Sequence, residues 1–229
     1  MTSMQALALL VLPLPFLIIF ADRKYKEKQQ TRLKANGGKA ASHGNAAHSL
    51  QNENFRIRKT NREKGVIGEL GVAADLEYLA QEYGLTVLHD LAIPGSKANI
   101  DHILISPKVV FVVDAKNYTG VVKVGAGKDG VKKLRVGGKD QTLLAEKLKT
   151  YANKVEVFLK SENVGVKVVP LLAFYKASFH DESHLTINGV TVNIFGIENE
   201  LLRYANLKSP SIDMELVAEK ILREFQPKA

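Results

Sequence analysis

The sequence predicts a mixed α/β fold, a central sheet flanked by helices, with an N-terminal membrane anchor ahead of it. Three observations lead there. Helical and strand-like patterns alternate from residue 60 onward, in the order helix, strand, strand pair, helix, strand. Two β-branched runs around Pro107-Lys108 read as a central hairpin that carries acids where a sheet normally carries core. The first 21 residues hold no charge, and Gln5 to Phe20 is nearly all apolar.

Of the 229 residues, 45% are hydrophobic, enough for one good-sized core with an appendage. The organisation read from composition is an anchor over residues 1–21, a basic, flexible linker over 22–59 and a folded domain over 60–229, its core at 61–175. Cysteine is absent, which excludes disulfides, thiolate metal sites and cysteine nucleophiles. The net charge of +8 is unevenly placed. Residues 21–64 carry 12 Lys/Arg against 4 Asp/Glu, whereas Gly65 onward carries 20 against 20. The basic excess therefore belongs to the linker, and it does not by itself imply nucleic-acid binding.

The anchor is short, with Pro13 and Pro15 near its middle. A cleaved signal peptide is the alternative, but no Lys or Arg precedes Arg23 and no clear Ala-x-Ala follows. Arg23, Lys24, Lys26 and Lys28 come after the apolar run, so the positive-inside tendency places the folded domain in the cytoplasm, behind a single pass of the cell membrane. The same cations suit anionic lipid. Residues 36–54 are rich in Gly, Ala, Ser, Asn and His and read as a tether; His43 and His48 within it lack further ligands nearby.

Thr60 or Asn61 can cap a helix that runs to Gly84, with Val66, Leu70, Ala73, Ala74 and Tyr78 as its apolar stripe. Gly65, Gly68 and Gly71 cost helix stability and so imply close packing against the sheet. Glu69 lies among them. Leu85 to Ile93 is a strand, and "PGSKA" turns the chain into the hairpin. With Pro107 and Lys108 at the turn, Ser106 faces Val109, Asp101 faces Asp114 and Asn99 faces Lys116, all four of the latter on one face. A longer loop would shift this register, though any even shift keeps both acids together. Two carboxylates about 4.5–5.5 Å apart in an apolar setting need a cation between them, and a hard ion such as Mg²⁺ answers that need. The alternative is a buried ion pair with Lys116, which leaves a second carboxylate unpaired.

After Tyr118 comes a second, Gly-rich hairpin. From Lys123 to Lys139 it carries 6 Lys/Arg against one Asp. Lys132, Lys133 and Arg135 are either a solvated edge or a wing that touches phosphates. Gln141 to Glu162 is an amphipathic helix with Leu144, Leu148, Tyr151, Val155 and Phe158 at helical spacing. Val166 to Tyr175 is a buried strand, an Asn-Gly turn joins the strands of residues 184–196, and two helices, near 198–206 and 211–225, close the domain.

The segments "GVIGELG", "NIDHILIS" and "VVDAKNYTG" resemble the NERD (nuclease-related domain) branch of the PD-(D/E)xK nuclease superfamily, and "KDQTLLAEKLKTY" resembles the helix that follows there. The resemblance covers about residues 61–175. Asp114 stands where Glu is commoner in the family, and Asn99 where Gln is frequent. The resemblance implies a restriction-endonuclease-like fold and Mg²⁺-dependent hydrolysis of nucleic acid, DNA favoured, with Mn²⁺ able to substitute. It implies Asp101, Asp114, the carbonyl of Ala115 and Glu69 as metal ligands, and Glu69, Asp101, Asp114 and Lys116 as the catalytic set. It also implies Gln141 as a phosphate- or ligand-orienting residue, whose bland alternative is a first-turn polar side chain. Asn117 and Tyr118 then shape the strand end, and His102, on the opposite strand face from Asp101, packs behind the site. The rival readings are a catalytically idle nucleic-acid-binding domain and a membrane-associated scaffold.

Overall fold

A computed structural model describes residues 40–44, 46, 59–179, 185–193 and 197–227. Within them the chain forms β1 (Ala41–His43), α1 (Lys59–Tyr83), β2 (Thr86–Ala92), β3 (Asn99–Ile105), β4 (Val109–Lys116), β5 (Val121–Ala126), β6 (Lys132–Val136) and β7 (Lys139–Asp140). There follow α2 (Thr142–Ser161), β8 (Lys167–Phe174), β9 (Ser178–Phe179), β10 (Leu185–Ile187), β11 (Val190–Asn193), α3 (Ile197–Tyr204) and α4 (Met214–Glu224). The proposed anchor, its basic flank and His48 lie outside the described residues. Among the described residues no helix is long and apolar enough to cross a membrane.

The main sheet has seven strands in the order β1-β2-β3-β4-β8-β11-β10. It is mixed: β3 runs antiparallel to its neighbours β2 and β4, while β4, β8 and β11 are parallel. This is the mixed α/β architecture that the element order predicts. Strand β4 sits at the centre because Val109 to Val113 are apolar on both faces, and all five are fully buried. Helix α1 lies against β1 to β4, and α2 against β4, β8 and β11. A second sheet, β7-β6-β5-β9, forms the wing.

The hairpin register follows the turn at Pro107-Lys108. The Ser106 N–H donates to Val109 O at 3.0 Å, and Ile105, Leu104, Ile103 and His102 face Val110, Phe111, Val112 and Val113. Asn188 and Gly189 take φ of +52° and +84°, as the Asn-Gly turn between β10 and β11 requires. Gly84, at φ +63°, ends α1, and the Leu85 N–H closes back on Ala80 O at 2.9 Å.

The apolar stripe of α1 is corrected by the structure. Val72, Ala73, Leu76, Leu79, Ala80 and Tyr83 face the core, while Leu70, Ala74 and Tyr78 are exposed and Val66 is half-buried. Apolar residues are distributed around this helix, so spacing alone does not set its rotation. Glycine packing does: a Cβ on Gly68 would stand 2.7 Å from Asn117 Cβ, so Gly68 must lie against the end of β4. In α2 the buried line is Ala145, Leu148, Ala152, Val155 and Leu159, with Leu144, Tyr151 and Phe158 flanking it. Ala41–His43, inside the stretch that composition reads as a tether, pairs as a parallel edge strand with β2. Backbone pairing asks nothing of side-chain polarity, so composition carries no trace of it.

Candidate metal and nucleic-acid site

The β3–β4 ladder stops at His102 and Val113, one pair short of the two acids. There the side chain of Asp101 replaces the strand backbone: its Oδ2 accepts the Ala115 N–H at 2.8 Å. Strand β4 continues on its other edge, paired with β8 as far as Lys116 and Phe174. The β3–β4 ladder thus ends at the carboxylate-bearing ends of the two strands, with Asp101 buried there and Lys116 reaching past it.

Lys116 is the cation at the centre of this cluster. Its Nζ lies 2.7 Å from Asp114 Oδ2, 3.1 Å from the Ala115 carbonyl and 3.9 Å from Asp101 Oδ2. Burial alone would lower the ammonium's pKa, but the Asp114 and Asp101 carboxylates outweigh it and hold the proton on well above the ordinary lysine value. Asp101 is pushed up to about 7, by burial first and the Asp114 charge second, against the pull of Lys116 and the Ala115 N–H. Glu69 arrives from α1 and is pushed up to about 9 by burial, then by Asp101 and Asp90, with Lys116 acting the other way. Its Oε2 is buried and accepts no hydrogen bond from the described residues.

The β3–β4 ladder ends before Asn99 and Lys116, so the two do not pair as expected. On its other edge Asn99 pairs with Ala92 of β2, and its Nδ2 donates to Asp90 Oδ1 at 2.8 Å. Asp90 lies between the pairs His89–His102 and Leu91–Ile100, hence opposite Asp101, and takes φ +51° in a strand. A buried acid in the left-handed region is costly for a non-glycine residue and marks the site as a place of stored strain. Behind the acids His102 is buried, with Nδ1 2.9 Å from His89 Nδ1, and burial holds both imidazoles below their ordinary pKa. His89 in turn reaches Glu77 at 3.4 Å.

Beside Lys116 and Glu69 lies a cleft of about 780 Å³, whose lining includes neither Asp101 nor Asp114. Its walls are Lys64, Gly65 and Glu69 of α1, Ala115 to Thr119 after the acid of β4, and Val136, Gly137, Lys139 and Gln141. Gln141 therefore lines the same cleft as Glu69 and Lys116. It precedes α2 but its side chain makes no cap hydrogen bond, since Asp140 takes the Thr142 N–H at 2.9 Å. Lys132, Lys133 and Arg135 do not line the cleft, and Lys133 is drawn to Asp129 at 3.1 Å. Asp90, Lys64 and Lys139 are the residues that sequence reading missed. For Asp90 the signal was present, since it is an acid inside an apolar strand, the criterion that exposes Asp101 and Asp114.

The donor set suits a hard divalent cation: carboxylates and a carbonyl, all oxygen, with an unsatisfied Glu69 oxygen beside them. Among the described residues no three acidic or imidazole groups are already gathered to hold a metal ion. The Lys116 ammonium occupies the space between three of the candidate donors. Residues 64–175 match the family model NERD, the nuclease-related domain. No curated protein and no solved structure matches the chain.

Proposed function

We propose that the chain, whose residues 64–175 match the nuclease-related domain model, hydrolyses phosphodiester bonds of nucleic acid, DNA first, with Mg²⁺ or Mn²⁺ held at the Asp101–Asp114 corner. The observation that supports this reading most is the excess of buried acid over base, with Glu69 Oε2 left without a partner among the described residues. Such a cluster is stable only with protons or a cation. Asp101, Asp114 and the Ala115 carbonyl are the proposed ligands, with Glu69 beside them. A bound divalent ion supplies Lewis acidity toward the phosphate and a more acidic water.

The remaining work falls to side chains of the cleft. Lys116 keeps its proton beside two acids, so it orients the water and screens developing phosphorane charge in preference to acting as a base. Gln141, Lys64 and Lys139 hold the substrate's phosphates. The deciding experiment is cleavage of labelled single- and double-stranded substrates by the full chain, with Mg²⁺ and with chelator.

One observation favours a second reading. The 2.7 Å ion pair of Lys116 and Asp114 is also what a catalytically idle, nucleic-acid-binding or scaffold domain of this fold would keep. Such a domain binds without Mg²⁺-dependent cleavage. We further propose that residues 1–21 anchor the chain in the cell membrane with the domain in the cytoplasm, and that the basic residues behind them meet anionic lipid; the charge distribution supports this. A reporter fused after Lys34 that is active only outside the membrane overturns it.

A further inference from the structure

Beside the cleft, on the same helix, lies a hollow of about 400 Å³ whose chemistry differs from it. Its walls include Asp75 and Tyr78 of α1, Phe174 and Tyr175 at the end of β8, and Glu198 of α3. Among the described residues, no basic side chain is part of its lining, and the Lys176 Nζ stands 5.9 Å from the Tyr175 ring centroid. Tyr78 and Tyr175 are 66% and 40% exposed, so two aromatic surfaces face solvent where a core would hide them.

The hollow and the cleft share one track. Lys64, Gly68, Gly71, Asp75 and Tyr78 recur at intervals of three and four and therefore line one side of α1. From Lys64 to Tyr78 this side is about 21 Å long, and Asp75 stands about 9 Å along the axis from Glu69, at about 1.5 Å per residue. The two glycines let the sheet ends come close. A Cβ on Gly71 would stand 2.1 Å from the Tyr175 ring, so only glycine lets that ring lie on the helix. The Tyr175 N–H donates to the Lys116 carbonyl at 2.8 Å, which fixes the ring's strand to the residue at the heart of the acid site. The hollow is also at the carboxyl end of β8, which runs parallel to β4 and β11, and the carboxyl ends of parallel strands are where open sheets present their ligands.

Charge separates the two compartments. The cleft has Lys64 and Lys139 for phosphates. The hollow has aromatic faces with the carboxylates of Asp75 and Glu198, the latter also accepting from the Tyr83 hydroxyl. Carboxylates repel a phosphate but accept hydrogen bonds from the N–H groups of a base edge, and an aromatic ring stacks on any base. Desolvation raises the Asp75 carboxyl above its ordinary pKa, in keeping with a partly dry wall.

We propose that this hollow receives one unstacked nucleobase of the strand whose phosphate lies in the cleft, with Tyr78 and Tyr175 as the stacking surfaces and Asp75 as the acceptor for a base amino group. The proposal rests on the nuclease reading above and adds a substrate class to it: single-stranded or locally opened nucleic acid.

The test measures binding of labelled single strands to the full chain, with Ca²⁺ in place of Mg²⁺ to slow hydrolysis. One abasic residue is moved along the strand, and each strand is tried on the parent, on Tyr78→Leu with Tyr175→Leu, and on Asp75→Asn. The expected result is a single position at which base removal weakens the parent by about five- to a hundredfold, the range of one base stacked on an aromatic side chain. That loss should vanish in the double variant. Asp75→Asn should narrow the preference for adenine, cytosine or guanine over thymine at that position. If no position matters to the parent, or the loss persists in the double variant, the base pocket is wrong and the nuclease reading stands. If the parent binds no strand at all, both fall. Circular dichroism melts of the two variants, expected to match the parent, exclude unfolding as the cause of any loss.

Discussion

The Lys116 ammonium sits 2.7 Å from the Asp114 carboxylate while its Nζ also reaches the Ala115 carbonyl at 3.1 Å. The cluster's own cation thus occupies the space between the proposed metal donors. A metal ion and this ammonium compete for the same oxygens.

That competition gives Lys116→Met a double signature. Without metal the variant leaves Asp101 and Asp114 with no cation, and should lose roughly 3–5 kcal/mol of stability at neutral pH. With Mg²⁺ present most of the loss should return, because a ligand stabilises the state that binds it, and half-saturation should come at lower Mg²⁺ than in the parent. Cleavage should be absent. Denaturant melts over a Mg²⁺ series check this; a loss that Mg²⁺ leaves untouched marks a structural ion pair.

Glu69 sets a pH dependence whose sign follows from proton counts. Between about 4.5 and 9 the unfolded chain has released this proton while the folded protein keeps it. Asp101 does the same between its ordinary 3.8 and about 7. The folded state then binds more protons, so metal-free stability should fall as pH rises through this window. Glu69→Gln should remove the upper part of the fall and, at pH 8 in chelator, be more stable than the parent, because the variant need not take up the proton that folded Glu69 binds at that pH. Its Mg²⁺ response should shrink. Urea midpoints at pH 5, 7 and 9 decide the matter, and a stability that rises with pH contradicts it.

Gly68→Ala tests how α1 delivers Glu69. The new methyl would lie 2.7 Å from Asn117 Cβ and 3.1 Å from its backbone nitrogen, so helix and strand end must separate. A loss of about 1–3 kcal/mol is expected from the overpacking, with cleavage falling by more than the unfolded fraction explains. Activity measured well below the melting transition, and unchanged there, would uncouple this packing from the site.

The salt dependence of binding separates cleft from wing. Lys64→Gln and Lys139→Gln should each lower the log–log slope by about 0.7–0.9, the change expected when one phosphate is no longer neutralised by a protein cation. Lys133→Gln should leave it nearly unchanged, because Lys133 already pairs with Asp129 and lies outside the cleft. The reverse ranking would return the phosphates to the wing.

The hairpin and its acids were legible because period-two alternation and a two-residue turn fix a register arithmetically, and Ser106 opposite Val109 set every later pair. The ladder's early end was not, since it depends on Asp101 choosing the Ala115 N–H, a side-chain competition that no spacing encodes. The rotation of α1 was misread for a related reason. Its apolar residues surround it, and the close approach that orients it joins Gly68 to Asn117, far apart in sequence. Extending the β3–β4 pairing puts Asn99 opposite Lys116, but the ladder ends earlier, and the Asn99 side chain bonds to Asp90 on the neighbouring strand β2. Gln141 could be found by resemblance alone, and Lys64 and Lys139 by neither route, because each lines the cleft only through the packing of α1 and the small sheet around it.

The central claim is that Asp101 and Asp114 hold a divalent ion that cuts nucleic acid. It is tested most directly by incubating the full chain and its Asp101→Asn variant with labelled single- and double-stranded DNA and RNA, in Mg²⁺ and in chelator. The account predicts cleavage by the parent in Mg²⁺ only, and none by Asp101→Asn, which keeps the shape but loses the charge. Cleavage that persists in chelator or in Asp101→Asn, or a folded, nucleic-acid-binding parent that cuts nothing in Mg²⁺ or Mn²⁺, would contradict it.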